Sequence, residues 1–121
     1  MIRRKNEMEI EEREKMRGGD GIIKILHFFK KEEFNANVRL CAKLIIPPFC
    51  SIGLHQHLDE DEVYIIVKGK GILFDGKQEH IVLEGDAILT GKGESHSIKN
   101  IGEDDLEIIA FISKYSENQK I

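Results

Sequence analysis

The sequence predicts an all-β fold, a sandwich or a barrel, in a single domain. Its 121 residues are enough to bury one hydrophobic core and too few for two. Apolar residues occur in seven runs of strand length, each too short for a helix. Turn-forming residues separate these runs, for example at Asp75-Gly76, a favoured two-residue hairpin turn. Many short strands at regular spacing are typical of β-sandwiches and β-barrels.

Residues 1–21 are predicted to form a charged extension that ends in a glycine-rich turn, MRGGDG. Within the extension, Met8 and Ile10 alternate with charged residues as in an edge strand, whereas the charges themselves suit a short solvated helix. Both interpretations stay open. Residues 22–121 are predicted to form the barrel domain.

Strands in the barrel domain are expected over Ile22–Phe29, Val38–Ile46, Val63–Val67, Ile72–Phe74, Ile81–Leu83, Ala87–Leu89 and Leu106–Ile112. Alternate residues of the second strand are apolar, so one of its faces is expected to pack while the other is wet or lines a cavity. In the last strand, Ile109 and Phe111 make the second face apolar as well. We therefore expect that strand to be central in its sheet and buried on both sides.

Two histidines and a glutamate come just before the strand at Val63–Val67. His55 and His57 are two residues apart, so in an extended segment both imidazoles point to the same side. The acidic turn after them can bring Glu62 to that side, and a tight glycine turn places His96 at the mouth of a strand that starts near residue 95. Three neutral imidazoles and one carboxylate suit a divalent transition metal. The sequence thus predicts a metal site with two positions of an octahedral ion left for water or ligand.

Other polar residues near these four are weaker candidates for contact with a metal or a substrate. The acidic residues of the turn are expected to be exposed rather than to touch metal or substrate: Asp59, Glu60 and Asp61. Side chains that could face the cavity or a substrate are Tyr64, Asn100, Arg39 and Lys92. His27 and His80 lie outside the cluster and are expected to be structural.

Composition limits the partners and the location. Hydrophobic residues make up 40% and charged residues 33% of the chain, values in the globular range. The net charge of −4 offers no attraction to nucleic-acid phosphates or anionic membranes, so neither is expected as a partner. No segment resembles a signal peptide or approaches the about 20 apolar residues of a membrane span. We expect a cytoplasmic protein whose Cys41 and Cys50, lacking CxxC or zinc-ribbon spacing, stay reduced and half-buried.

The site residues and their neighbours resemble the two motifs of the cupin family, small β-barrels of the double-stranded β-helix type. The first motif, a His-x-His pair followed by a glutamate and a glycine, is matched at His55, His57, Glu62 and Gly69. The second motif is matched at Gly85, Gly93, His96 and Asn100. The resemblance covers about residues 36–113 and departs at Phe49 and Gly91, where the family has a glycine and a proline. It implies a small single-domain cupin of the cupin 2 type, with a jelly-roll-like barrel and an N-terminal extension.

The resemblance implies that His55, His57, Glu62 and His96 hold Fe, Mn, Ni, Co or Zn. It leaves the function open between two classes. One is an enzyme acting on a small molecule, with dioxygenases, isomerases and decarboxylases as precedents. The other is a noncatalytic module that binds a small ligand or the metal itself, and a vestigial site is a third possibility. A homodimer is also expected, because the strand at Ile22–Phe29 can extend a sheet of its own barrel or of a neighbour's.

Overall fold

Ten strands form the protein in a computed structural model that describes residues 1–120. They are β1 (Glu9–Glu14), β2 (Ile22–His27), β3 (Val38–Ile46), β4 (Ser51–Gln56), β5 (Glu60–Lys68), β6 (Lys70–Phe74), β7 (Glu79–Leu83), β8 (Ala87–Thr90), β9 (Ser95–Asn100) and β10 (Leu106–Lys114). The helices of this part of the chain are short 3₁₀ turns, and none could cross a membrane. Ile121, the last residue of the predicted barrel domain, lies outside the described residues.

Two antiparallel sheets make the barrel. The larger has the strand order β1-β2-β3-β10-β5-β8, and the smaller has the order β4-β9-β6-β7. Alternate residues of each strand point between the sheets, and the fully buried ones among them are almost all aliphatic, as in Ile46, Ile98 and Ile108. This apolar interior confirms the predicted all-β barrel and fixes which face of each strand lines the inside.

The N-terminal segment contains an edge strand, which decides between the two interpretations of its sequence. Strand β1 pairs with β2, with Ile10 opposite Leu26. Its remaining residues are charged and mostly exposed. A short, highly charged edge strand discourages pairing with other chains, because bringing such an edge against a second one places like charges together.

Strand β10 is central, as expected, but the prediction that both of its faces are buried is wrong. It lies between β3 and β5 and buries Leu106, Ile108 and Ala110 completely. On its outer face Ile109 is half-buried and Phe111 is 37% exposed. The reason is that no element within residues 1–120 covers the middle of this outer face, which a pattern of apolar residues alone does not reveal.

The acidic turn is shorter than predicted, and the expectation that Glu60 is exposed is wrong. Asp59 has a φ of 60°, which turns the chain, and β5 already begins at Glu60. Glu60 is 8% exposed and Glu62 is 3% exposed, because both project from the inward face that also carries Tyr64. Strand alternation continues back into the acidic stretch, so two carboxylates enter the barrel rather than one.

The two departures from the cupin motifs fit the local backbone. Phe49 adopts a φ of 68°, the left-handed conformation that favours the glycine for which it substitutes. At Gly91 an added Cβ would overlap the carboxylate of Asp61, so a larger residue would displace that side chain. Cys41 and Cys50 are half-buried free thiols, as expected.

Candidate metal centre

The four predicted ligand residues come from three strands that meet at one end of the barrel. Strand β4 supplies His55, and His57 follows it; β5 supplies Glu62 and β9 supplies His96. The pairing of β4 with β9 is irregular between Ile52 and His55, where His55 comes to lie opposite His96. Ile52 points inward, so regular alternation would place His55, three residues later, on the outer face. The local bulge therefore directs His55 into the barrel, toward His96, which already points inward by the alternation of β9.

The side chains of these residues converge on one point. Nε2 of His57 and Nε2 of His96 lie 2.9 and 3.0 Å from Oε1 of Glu62. The same two nitrogens are 3.0 Å apart, and Nε2 of His96 is 3.1 Å from Nε2 of His55. His57, Glu62 and His96 are buried, whereas His55 is only half-buried and marks the side that opens toward solvent.

The other ring nitrogen of each histidine is held by a separate partner. Nδ1 of His55 is 2.7 Å from the carbonyl oxygen of Gly53, and Nδ1 of His57 is 2.7 Å from Oε2 of Glu60. Both partners are pure acceptors, so each Nδ1 carries the hydrogen and donates it. Nδ1 of His96 is 2.9 Å from the hydroxyl of Thr90. When their imidazoles are neutral, His55 and His57 therefore present the lone pairs of Nε2 to the common point.

Such a convergence of lone pairs fits a metal ion. Among residues 1–120, Oε1 of Glu62 is the buried side-chain atom without a hydrogen bond of good geometry, although the two imidazole nitrogens lie 2.9 and 3.0 Å away. A buried carboxylate needs positive charge nearby, which either a proton on these imidazoles or a metal ion supplies. Adjacent ligands of an octahedral ion at about 2.1 Å are about 3.0 Å apart, whereas tetrahedral ligands at that bond length are about 3.4 Å apart. The separations in the cluster match the octahedral value, so these four residues could hold a divalent ion.

The pKa values show that the site attracts positive charge. Burial alone would raise the pKa of Glu62, but the neighbouring imidazoles of His57 and His96 outweigh burial and lower that pKa to about 2. Burial likewise opposes a charge on His57, yet the carboxylates of Glu62 and Glu60 raise the pKa of its imidazole. Burial lowers the pKa of His55 to about 4, which keeps that imidazole neutral. The cluster is thus a neutral-to-anionic cavity in which a proton or a metal ion is stabilised.

Two further side chains touch the cluster. Tyr64 stacks on His96, with ring centroids 4.9 Å apart and planes inclined by 21°. Its hydroxyl is fully buried, and burial together with the Glu62 carboxylate raises the pKa of Tyr64 well above its ordinary value. Arg39 binds Glu60, the carboxylate that contacts His57. Tyr64 and Arg39 therefore lie beside the ligand residues, as the sequence predicted.

Other predicted residues lie away from the cluster. The amide of Asn100 donates to the carbonyl oxygens of Ile46 and Asp104, at 2.8 Å each, so it braces a loop and does not face the site. The backbone N–H of Lys92 donates to the hydroxyl of Tyr115, and that hydroxyl donates to Asp61. Two histidines form hydrogen bonds with carboxylates elsewhere: His27 with Glu11, and His80 with Asp75.

The sequence-based prediction missed three residues that contact the imidazoles: Gly53, Glu60 and Thr90. One signal was available for Glu60, since it stands two residues before Glu62 and strand alternation puts both on one face. Thr90 gave no signal, because its contact with His96 joins β8 of one sheet to β9 of the other. Gly53 lies only two residues from His55, but its contact depends on the irregular pairing of β4 with β9.

The architecture and the cluster define a class: a small antiparallel barrel that carries three imidazoles and a carboxylate at its open end. The chain matches the cupin domain family over residues 43–112. It therefore belongs to that family, and the predicted resemblance is confirmed.

Two of the proteins to which the chain is similar come from Thermotoga maritima. The chain is 40% identical over 112 residues, 93% of each protein, to a protein of that organism named oxalate-binding protein. A crystal structure of a predicted oxalate decarboxylase from the same organism is 39% identical, with a TM-score of 0.89, and the match covers 94% of this chain and 99% of that one. The structure of KdgF from Halomonas sp. has a TM-score of 0.74 at 15% identity over 98% of both chains, a likeness of fold alone.

Proposed function

We propose that the chain binds a divalent transition metal, Fe, Mn, Ni, Co or Zn, through His55, His57, Glu62 and His96. The observation that carries this proposal is the meeting of three Nε2 atoms and a buried carboxylate oxygen, with four separations of 2.9 to 3.1 Å that match the spacing of adjacent octahedral ligands. A cation is the group that such a set of acceptors stabilises. Imidazole and carboxylate ligands together suit these metals.

The loaded site, we propose further, binds a small dicarboxylate of the oxalate type. Four protein ligands leave two positions of an octahedral ion for oxygen atoms of a ligand, and a ligand with two neighbouring carboxylates can occupy both. A divalent ion with the single negative charge of Glu62 leaves one positive charge, which favours an anion. The 40% identical relative named oxalate-binding protein supports the choice of oxalate over other chelating anions.

Binding without turnover is the function that the site residues favour. Decarboxylation or isomerisation needs a group that moves a proton near the ligand. Glu60, the carboxylate that contacts the cluster, already binds both His57 and Arg39, and the pKa of Tyr64 is raised far above neutral by burial. The second candidate is a metal-dependent enzyme, a decarboxylase, dioxygenase or isomerase, and a relative described as a predicted oxalate decarboxylase favours the first of these.

A two-stage experiment tests the proposal. Elemental analysis of protein purified without chelators or a metal-affinity tag identifies the ion, with His96→Ala as the variant that should lose it. Calorimetric titration with oxalate, malonate and acetate then compares metal-loaded and metal-free protein. We expect oxalate to bind only the loaded protein, and acetate to bind far more weakly. A protein that retains no transition metal contradicts the proposal, and release of carbon dioxide or formate favours the enzyme.

A homodimer that uses the outer face of the larger sheet is part of the proposal. Cross-strand neighbours form two mostly apolar rows on that face, Cys41-Phe111-Val63-Leu89 and Lys43-Ile109-Ile65-Ala87. Beside them lies a groove of about 540 Å³ whose apolar walls include Ile10, Leu26 and Ile45. In a two-fold dimer the apolar rows of each copy can pack against the groove of the other, because an isologous interface pairs the same two patches twice.

Sedimentation tests the dimer directly. We expect a dimer mass at micromolar concentration for the wild-type chain and a monomer for Phe111→Asp. Phe49→Asp is the matched control, since Phe49 is 84% exposed outside this face. A monomeric wild-type protein contradicts the dimer. The cytoplasmic location and the lack of a nucleic-acid partner stay predictions from composition.

A further inference from the structure

Arg39 occupies an irregular position in β3. Strand β10 places Ile112 opposite Leu40 and Ser113 opposite Val38, so Arg39 is the extra residue between two paired positions. Such a bulge redirects a side chain that would otherwise follow the alternation of the strand. The guanidinium of Arg39 reaches Glu60 on β5, with which β3 shares no edge.

The contact between Arg39 and Glu60 is bidentate. Nε of Arg39 lies 2.8 Å from Oε1 of Glu60, and Nη2 lies 2.8 Å from Oε2. Two parallel charge-assisted hydrogen bonds hold a carboxylate in one orientation, which a lysine could not do. Because Glu60 is 8% exposed, the guanidinium also compensates most of the cost of burying its charge.

Glu60 in turn holds His57. Its Oε2, the oxygen that accepts from Nη2 of Arg39, also accepts from Nδ1 of His57 at 2.7 Å. The corresponding nitrogens of His55 and His96 meet a neutral carbonyl and a neutral hydroxyl instead. A carboxylate behind an imidazole both fixes the ring and makes its far nitrogen a stronger electron donor. His57 is thus the histidine of the cluster whose outer nitrogen contacts a charged partner.

We propose that Arg39 and Glu60 are positioning residues that orient His57 and strengthen its Nε2 as a metal ligand. The proposal rests on the metal binding proposed above. Without Glu60 the imidazole of His57 is free to rotate and to offer either nitrogen to the ion. Arg39 acts indirectly, by holding the Glu60 carboxylate in line with Nδ1 of His57 through its two hydrogen bonds.

Metal affinity of three variants tests this relay. Glu60→Ala removes the carboxylate, Glu60→Gln keeps an oxygen that can accept from Nδ1, and Arg39→Ala removes the clamp. Competition with a chromogenic chelator gives the Kd of each metal-loaded protein. Loss of such a partner weakens metal binding about 10- to 100-fold, so we expect that loss for Glu60→Ala and a smaller loss for the other two. Glu103→Ala, an exposed acidic residue distant in sequence, is the matched control and should match the wild type.

A second measurement separates positioning from general stability. The visible absorption of the Co(II)-loaded protein reports the ligands of the ion. We expect Glu60→Ala to change that spectrum and Glu60→Gln to restore most of it, whereas a merely structural role would leave the spectrum of the folded fraction unchanged. If Glu60→Ala does not fold, Glu60→Gln and Arg39→Ala decide by the same two measurements.

The result that overturns the relay is wild-type affinity and an unchanged cobalt spectrum in the folded Glu60 and Arg39 variants. That outcome leaves the metal site itself intact. Failure of the proposed function is distinguishable, because in that case the wild-type protein itself binds no transition metal.

Discussion

The two ends of the barrel use the same strands for opposite purposes. At the closed end, Ile52, Ile66 and Ile98 fill the interior with aliphatic side chains that need no partner. Nearer the open end, the same three strands or the segments that follow them carry the histidines and Glu62. One end is stabilised by burial from water alone, whereas the other buries polar atoms that a bound cation stabilises. A single strand can therefore contribute to a core at one end and to a binding site at the other, provided that positive charge compensates the buried polar atoms.

Metal removal should produce the largest change in stability, because the polar end depends on the cation and the apolar end does not. With free metal at about a thousand times its Kd, binding to the folded state alone adds about 4 kcal/mol to the free energy of unfolding. Urea denaturation with metal and with excess chelator measures the gain, and His96→Ala should abolish it. Equal stability in both conditions would show that the polar end needs no cation.

Truncation at the apolar end should lower stability without weakening the site. Ile108 is completely buried in β10 and carries no ligand. Ile108→Ala should cost about 3 kcal/mol of unfolding free energy, with and without metal, because it leaves a cavity in a packed interior. The metal Kd of the folded variant should be that of the wild type. A large increase in Kd would mean that the two ends are coupled more tightly than their separate side chains indicate.

Substitution of Gly53 should lower both the stability of the barrel and the affinity of the metal site. A Cβ at this position would overlap the carbonyl oxygen of Arg17 and lie 2.9 Å from the amide nitrogen of Gly19. The carbonyl oxygen of Gly53 also orients His55. Gly53→Ala should therefore cost about 2 kcal/mol through overpacking and weaken metal binding as well. Gly102→Ala, where the nearest atoms are 3.5 Å away, is the control, and an equal effect of both changes would contradict the steric explanation.

The smallest effect is expected outside both ends, at the N-terminal edge. Hydrogen bonds from His27 and Arg13 lower the pKa of Glu11 below its ordinary value of 4.5. The resulting stability is present above that pH and is lost as the pH falls through the lowered pKa. Because the pair is partly exposed, Glu11→Gln should cost only about 0.5 kcal/mol at neutral pH, and the cost should vanish in acid. Urea denaturation at several pH values measures it, and metal affinity should not change.

The sequence by itself determined the class of fold and the four candidate ligands. Short apolar runs with turns between them are local patterns, and the cupin motifs place His55, His57, Glu62 and His96 at fixed spacings. Alternation also identified the inward face of β3 from Leu40 to Ile46, because a regular strand segment has only two faces. These features depend on neighbours along the chain, which is the information that a sequence contains.

Only the tertiary structure decided which residues support those ligands and which apolar residues stay exposed. The bulge before His55 changes the face that alternation would assign to that residue, and the bulge at Arg39 lets its side chain reach Glu60. Alternation puts Glu60 on the face of Glu62, but the start of β5 at Glu60 is what places it inside the barrel. The exposure of Phe111 follows from the arrangement of residues 1–120, in which no element covers the middle of the outer face of its sheet. Each outcome depends on contacts between strands that are far apart in the chain, and a local pattern does not contain those contacts.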